Sequence, residues 1–351
     1  MELTQTQRMA LQQLVKGIRD QELSEQTLGG YAGTGKTTLI KYLKKFFPGF
    51  AVAAYTGKAA NVLRKKGLGE ASTIHSRIYK PYFEHGVVYF DINPEPDCDG
   101  FIIDEASMVS DEIYTDLQSF GKPLVFVGDH GQLEPVNSDF NLMANPMYRL
   151  EEIHRNAGTI AKFAHHLRTG FNSRGYKEDD QLGFYIKKQM TDSLLCEVDQ
   201  VICAYNATRV GINKRIRSAM GYKGLINVGE RVMCLKNNRE KGLFNGMQGT
   251  VVKLYEKRSR KYMDFEFDGK IIPEVCYDTK QFGEASYKIK YGGKDSPNPF
   301  DYAYCITAHK SQGDEWGKVL VVEQKCKKWD HRRWAYTSAS RAKDWLGWVY
   351  A

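Results

Sequence analysis

No C-x-x-C pair occurs among the seven scattered cysteines, Cys98, Cys196, Cys203, Cys234, Cys276, Cys305 and Cys326. A disulfide framework or a zinc site needs paired spacing, so this pattern points to reduced thiols, a cytoplasmic setting and no zinc. No uninterrupted apolar run is long enough to span a bilayer, so neither a transmembrane helix nor a membrane partner is expected. The opening Met1-Glu2-Leu3-Thr4-Gln5 is polar and leads into a helical pattern, so a signal peptide is not expected. Internal repeats and low-complexity tracts are lacking too. What is there is the ordinary composition of a soluble protein, 42% hydrophobic and 26% charged over 351 residues, which suggests two to three domains. The formal charge of +8 is a moderate excess that favours a polyanion as partner.

The stretch around which the rest is organised is Gly30-Tyr31-Ala32-Gly33-Thr34-Gly35-Lys36-Thr37. It fits the phosphate-binding pattern G-x-x-x-x-G-K-[ST], which joins a strand to a helix. Glycines let backbone N–H groups turn inward around dense negative charge, and the helix that follows offers its positive end. Gly33, Thr34, Gly35 and Thr38 would line a nucleotide, Lys36 would reach the β- and γ-phosphates, and Thr37 would hold Mg²⁺. A glycine-rich turn before a helix is the plainer alternative. The strand leading into the loop reads as short and weak, little more than Thr27-Leu28. Upstream, Thr4 to Arg19 reads as an amphipathic helix with Leu11, Leu14, Val15 and Ile18 on one stripe. Gln7 has two readings. It completes a capping box begun by Thr4, or its amide reads an adenine edge by both donating and accepting.

Phe50 to Tyr55 reads as a buried parallel strand. It runs into Thr56-Gly57-Lys58-Ala59-Ala60 and a helix carrying Arg64, Lys65 and Lys66. That small basic turn suits phosphodiester contact, or is a solvated helix start. His75 is either structural or part of the same contact. Phe101 to Ile103 is a strand that ends in Asp104-Glu105-Ala106-Ser107. Acids there fit the second half of an ATPase site, with Asp104 beside the Mg²⁺ of Thr37 and Glu105 orienting or deprotonating the attacking water. Leu124 to Gly128 repeats the strand pattern ahead of Asp129, and Gln132 is placed to sense a γ-phosphate, or is an ordinary polar residue of a loop. Tyr82 to Asp97, apolar and aromatic on either side of Glu84-His85-Gly86, predicts a small hairpin, a wedge at a duplex junction or a packed excursion.

From Leu150-Glu151-Glu152-Ile153-His154-Arg155 onward, the order of segments resembles the superfamily 1 helicases of the RecD and Dda type, the branch that moves 5′→3′ on single-stranded DNA. The likeness covers nearly the whole chain. It continues in Ala204-Tyr205-Asn206-Ala207-Thr208-Arg209, in Asn213 and Arg217, in Gly229-Glu230-Arg231-Val232-Met233 and in Phe244-Asn245-Gly246-Met247-Gln248-Gly249-Thr250-Val251. It ends in Thr307-Ala308-His309-Lys310-Ser311-Gln312-Gly313 and Tyr336-Thr337-Ser338-Ala339-Ser340-Arg341-Ala342. The resemblance implies an α/β fold of two RecA-like parallel-sheet, P-loop NTPase domains with ATP between them. Residues 1–138, with the hairpin 82–97, would form the first; residues 139–222 and 300–351 the second. Arg155 and Arg341 would then be the arginines brought to the γ-phosphate, a task that suits a forked, permanently charged guanidinium. A surface salt bridge is the plainer fate of each. The family likeness assigns Thr307, His309 and Lys310 to the DNA side of the second domain, opposite Thr56 and Lys58. Gly57, His75 and Asn206 join the DNA set, and Gln312 and Gly313 lie nearer the nucleotide.

Residues 223–299 carry short alternating runs between glycine turns: Arg231 to Leu235, Gly249 to Tyr255, Tyr262 to Phe267 and Ile271 to Tyr277. They predict a small β-barrel; the resemblance implies an SH3-like insert. Lys253, Lys257, Arg258, Arg260 and Lys261 form a basic run, read as a solvated hairpin tip or as a contact to DNA or protein. The five tryptophans, Trp316, Trp329, Trp334, Trp345 and Trp348, read mostly as core, with base stacking as the other option. The resemblance thus implies an ATP- and Mg²⁺-dependent 5′→3′ DNA helicase. It would act as a monomer on single-stranded DNA and single/double-strand junctions, alongside replication, repair or recombination proteins. The rivals are an RNA helicase or remodeller on the same fold, a non-unwinding ATP-switched binding subunit and a nucleotide kinase.

Overall fold

Thr4 starts the first helix, α1 (Gln5–Arg19), as a reciprocal cap. Its hydroxyl accepts from the Gln7 N–H at 3.3 Å, and Gln7 Oε1 accepts from the Thr4 N–H at 3.0 Å. The stripe Leu11, Leu14, Val15 and Ile18 is buried, as the spacing predicts. The computed structural model describes residues 3–20, 24–84, 87–134, 140–152, 158–170, 172–238, 241–286, 296–325, 327 and 329–351, apart from the side chains of residues 58, 81 and 83–90. They group into two compact units. The first holds Met1–Tyr82, Tyr89–Phe171 and Arg332–Thr337; the second holds Phe83–Val88, Asn172–His331 and Ser338–Ala351.

In the first unit the chain continues as β1 (Glu25–Gly30), α2 (Lys36–Phe46), β2 (Phe50–Ala54), α3 (Gly57–Lys65), β3 (Ser72–Thr73) and α4 (Ile74–Ile78). Then come β4 (Tyr79–Glu84), β5 (Val87–Ile92), β6 (Gly100–Asp104), α5 (Asp111–Gln118), β7 (Leu124–Gly128), β8 (Tyr148–Leu150) and α6 (Thr159–Arg168). Among the described residues one sheet runs β3-β2-β6-β7-β1-β8, with every pairing parallel. Alternation along the strands splits the core in two. Val52, Ile102 and Val125 pack with Leu14, Leu39 and Leu63 from α1, α2 and α3. Ala51, Phe101 and Phe126 pack with Ile74, Ile78 and Leu117 from α4 and α5.

The strand before the phosphate loop corrects the sequence reading. It is six residues long, buried from Gln26 to Gly30, and lies between β7 and β8. It looks weak in sequence because three polar residues and two glycines leave Leu28 as its one apolar side chain. Local partners absorb the polarity: Gln26 Nε2 donates to the Leu14 carbonyl, and Thr27 Oγ1 accepts from the Met147 N–H. Gly29 is required, since a Cβ there would stand 2.4 Å from Pro146 Cγ. β4 and β5 form a separate two-stranded sheet that begins at Tyr79, earlier than the expected Tyr82. The His85-Gly86 tip lies outside the described residues.

The second unit contains β9 (Leu182–Tyr185), α7 (Asp192–Glu197), β10 (Gln200–Cys203) and α8 (Asn206–Ala219). It continues through β11 (Arg231–Cys234), β12 (Gln248–Lys257), β13 (Arg260–Phe267), β14 (Lys270–Asp278) and β15 (Asn298–Tyr302). β16 (Cys305–Thr307), β17 (Trp316–Val322), the helix α9 (His331–Ala339), whose residues 332–337 belong to the first unit, and β18 (Ala342–Val349) complete the chain. A second parallel sheet runs β16-β10-β17-β18-β9. β11 to β15 close a barrel, antiparallel except for β14 on β15. Val232, Val251, Met263, Phe265, Val275 and Phe300 fill it. Its hairpins turn as the sequence predicts: Asp268 and Gly269 both take positive φ, the requirement of a two-residue turn.

The basic run at the barrel favours the hairpin-tip reading, for Lys257 pairs with Glu274 and Lys261 with Glu256. Trp334 and Trp348 are fully buried, whereas Trp316, Trp329 and Trp345 are half-buried. No described helix is long and apolar enough to cross a membrane.

Candidate nucleotide and nucleic-acid site

The loop 30–37 follows from what its residues can adopt. Gly33 and Gly35 sit at φ 79° and 85°, in the left-handed region where side chains are disfavoured. Gly35 is the N-cap of α2 and supplies no side chain, so the amides at the helix start have no side-chain cap. A Cβ built on Gly33 would meet no described atom within 4 Å. Thr34 Oγ1 donates to the Tyr31 carbonyl at 2.8 Å and stiffens the turn. Lys36 lies back over the loop, with Nζ donating to the carbonyls of Gly30 at 2.7 Å and Tyr31 at 3.0 Å. Thr37 and Thr38 stand in the first turn of α2. Gln7 realises its capping reading and makes a further contact. It closes the cap of α1, and its Nε2 donates to the Thr34 carbonyl at 2.9 Å, tying α1 to the loop.

Asp104 ends β6, the strand next to β2. Burial pushes its carboxyl up, while a backbone hydrogen bond from Glu105 and the charges of Lys36 and Lys66 hold it down. Glu105 has φ 54°, left-handed for a residue with a side chain, a costly conformation of the sort that clusters at functional sites. After β7, Asp129 is 1% exposed and acts as a hub. It accepts from the Gly131 N–H at 2.9 Å, from Gln132 Nε2 at 3.2 Å and from the Tyr336 hydroxyl at 2.6 Å. Arg333 donates to the His130 and Gln132 carbonyls. Tyr31 carries the ring of His130 at 4.4 Å. Asp129 and Tyr336 have no role in the sequence reading, although both stand in segments it singles out.

Thr56 caps α3, its Oγ1 accepting from the Ala59 N–H at 3.1 Å. His75 packs its ring near Tyr55 and Tyr79. The side chain of Lys58 and all of Arg155 lie outside the described residues.

In the second unit, β10 and β16 run parallel with Cys203 opposite Thr307, so the segments that follow both strands leave the same edge of the sheet. Asn206 opens α8 after the first; a short turn, Ala308–Ser311, carrying His309 and Lys310, follows the second. Lys310 Nζ donates to Asn245 Oδ1 at 3.0 Å, and desolvation of its ammonium lowers its pKa. Burial also lowers that of His309, whose ring stands 5.7 Å from Trp329, which in turn lies 5.8 Å from Tyr205. Asn206 Oδ1 accepts from Arg209, whose guanidinium pairs with Asp301 inside the unit. Asn213 clasps Cys305 twice, accepting from its N–H at 2.8 Å and donating to its carbonyl at 2.9 Å. Gln312 is buried. Arg341 is buried too, and donates to the Asp314 carbonyl and to Ser340 Oγ. The sequence reading missed the Asn213 clasp and the Tyr205–Trp329–His309 ring cluster; an aromatic directly before Asn206 was the available signal.

A glycine loop between a buried parallel strand and a helix, with an acid pair ending another strand of the same sheet, defines a P-loop protein. Residues 2–188 match the AAA domain family, and residues 302–349 match the UvrD-like helicase C-terminal domain. The chain belongs to that AAA domain family, in the superfamily 1 helicase branch of the RecD and Dda type. It is 25% identical over 354 residues to the ATP-dependent RecD2 DNA helicase of Deinococcus radiodurans, covering 90% of this chain and 46% of that one. It is 31% identical over 191 residues to the ATP-dependent DNA helicase dda of Enterobacteria phage T4, covering 48% of this chain and 43% of that one. The chain spans less than half the length of these curated relatives. Its fold is similar to that of Bacteroides Pif1 bound to ssDNA, with a TM-score of 0.61 at 22% identity, over 100% of this chain and 92% of that one. A structure of two coordinating Pif1 helicases at forked dsDNA gives 0.62 at 23%, over 100% of this chain and 92% of that one. The architecture is thus α/β, with RecA-like parallel sheets.

Proposed function

We propose that the chain is an ATP-dependent DNA helicase that moves 5′→3′ along single-stranded DNA and unwinds duplex. The observation that carries this is the phosphate loop itself, with left-handed Gly33 and Gly35 ahead of Lys36 and with Asp104 ending another strand of the same sheet. The helicase names of the RecD2 and dda relatives, and the single strand bound by Bacteroides Pif1, support DNA as the partner.

In this reading Gly33, Thr34, Gly35, Thr38, Gln312 and Gly313 line the nucleotide, and Gln7 serves the adenine. Lys36 neutralises phosphate charge. Thr37 and Asp104 hold Mg²⁺: they offer the hard oxygen donors such an ion takes, and a carboxyl penalised by burial gains from a cation beside it. When bound, the ion supplies charge neutralisation at the phosphates. Glu105 orients the attacking water, Gln132 senses the γ-phosphate, and Arg155 and Arg341 answer the charge that develops. Thr56, Gly57, Lys58 and His75 make one set of strand contacts; Asn206, Thr307, His309 and Lys310 make the other. Residues 1–138 form the body of the first RecA-like domain with its hairpin insert, to which β8 (Tyr148–Leu150) and the stretch Arg332–Thr337 are added; the rest of residues 139–222 and 300–351 form the second, and residues 223–299, with β15 running on to Tyr302, an SH3-like accessory barrel.

The test is strand displacement with ATP on two matched duplexes, one with a 5′ tail and one with a 3′ tail. Release from the 5′-tailed duplex alone is expected, and Lys36→Ala should abolish it. Release from the 3′-tailed duplex alone keeps the motor and discards the direction. Release from neither, with DNA-stimulated hydrolysis intact, makes the chain a clamp or translocase and not an unwinding enzyme.

A further inference from the structure

We propose that Tyr336 is a positioning residue for the proposed hydrolysis, joining the phosphate loop to the side chain of Gln132. The inference rests on the nucleotide reading of the loop. Tyr336 lies in Arg332–Thr337, a stretch of the first unit, and is 2% exposed. Its hydroxyl accepts from the N–H of Ala32, the third residue of the loop, at 2.7 Å. The same hydroxyl donates to Asp129 Oδ2 at 2.6 Å, and that oxygen also accepts from Gln132 Nε2 at 3.2 Å. Loop amide, phenol, carboxylate and glutamine amide thus form one continuous chain of hydrogen bonds.

The direction of every bond in that chain is forced. A backbone N–H only donates and an ionised carboxylate only accepts, so the hydroxyl between them must accept on one side and donate on the other. Phenol does both through one oxygen; a phenylalanine ring in the same space does neither. The carboxylate likewise selects the orientation of the Gln132 amide, since only its nitrogen can face Asp129. Gln132 Oε1 is then the end presented away from Asp129. That oxygen is buried, on a side chain 4% exposed, and takes no hydrogen bond among the described residues. A buried amide oxygen is costly to leave unpaired, and it suits the role of accepting from a water beside the γ-phosphate. Arg333 and Thr337 meanwhile fix the backbone of the same segment, through the His130 and Gln132 carbonyls and the Leu133 N–H. The backbone is therefore held independently of Tyr336, and what Tyr336 adds is the aim of the side chain. A phosphate oxygen drawn to the Ala32 N–H competes with the phenol for that donor, so filling of the loop is felt at Asp129.

The test is a cycle on the full chain: wild type, Tyr336→Phe, Gln132→Ala and the double variant. DNA-stimulated ATP hydrolysis, the Kd of a fluorescent ATP analogue and the melting temperature are read for each. Tyr336→Phe should lower kcat about tenfold, the worth of one hydrogen bond to a charged group, without weakening the Kd. In the Gln132→Ala background the same change should have almost no further effect, because Tyr336 acts through Gln132. An unchanged kcat in Tyr336→Phe overturns the proposal, as does an additive double variant. So does a joint loss of kcat, affinity and melting temperature, which marks a merely structural residue. Failure of the wild type to bind ATP would sink the nucleotide reading and this inference with it. A working wild type with an additive cycle sinks only the role of Tyr336.

Discussion

Burial holds the imidazoles of His130 and His309 below their ordinary range. For His130, Asp129 and Glu151 pull upward, and Arg149 and Lys36 push down with the burial. An unfolded chain titrates its histidines near pH ~6.5. As pH falls below that value the unfolded state takes up protons that the folded state refuses, so stability falls with it. Above it both states are neutral and the effect vanishes. Both ring nitrogens of His130 are buried without a hydrogen-bond partner among the described residues. His130→Phe keeps a ring against Tyr31 and cannot titrate. The melting temperature of the wild type should drop more steeply than that of His130→Phe between about pH 7 and 5.5; parallel profiles would mean that His130 is not held neutral. The same residues mark how far the site was legible. Lys36, Asp104 and Glu105 are readable because phosphate chemistry fixes their types at a fixed spacing. Asp129 and Tyr336 are not, because nothing in spacing reveals a bond across 207 positions. Gln7 was readable only as two alternatives, and its amide touches both the cap and the loop.

β16 shows at the scale of an element why a short polar residue can matter more than an apolar one. Among the described residues it is an edge strand, paired on one side with β10. The backbone groups of Cys305 that face away from β10 are satisfied by Asn213 of α8, through both atoms of its amide. An edge closed in this way holds the short turn with His309 and Lys310 at its end. Asn213→Leu leaves one buried N–H and one buried carbonyl unpaired, at about 1–3 kcal/mol each. Unfolding in urea should show a loss of about 3 kcal/mol with an unchanged slope. A loss below about 1 kcal/mol would mean that pairing with β10 suffices to hold the strand. Elements were legible in proportion to how local their causes are. The barrel strands could be read because glycine turns and alternation punctuate them, down to the Asp268-Gly269 turn. β1 was underestimated because its strength comes from β7 and β8 on either side, not from its own residues.

For the whole molecule, the excess of +8 is best tested by asking where along the chain it meets a strand. Two cations of the barrel hairpin are already paired with glutamates on the barrel itself. Exposed pairs of this kind release little when a polyanion arrives. Lys310 contacts a neutral partner, Asn245, at the edge of the parallel sheet. The residue is exposed, and desolvation of its ammonium nonetheless lowers its pKa, so a phosphate can both reach it and favour its charged form. Affinity for single-stranded DNA should therefore fall with salt, with a slope of about −0.7 in log–log terms for each phosphate neutralised. Lys310→Gln should flatten that slope by roughly one such step, and Lys257→Gln should leave it unchanged. If the two variants exchange roles, the barrel hairpin carries the strand, and the edge formed by β10 and β16 does not. A wild-type affinity that ignores salt would remove the phosphate backbone from the interface. The DNA reading would then have to rest on the ring cluster of Tyr205, Trp329 and His309, whose stacking on bases depends little on salt.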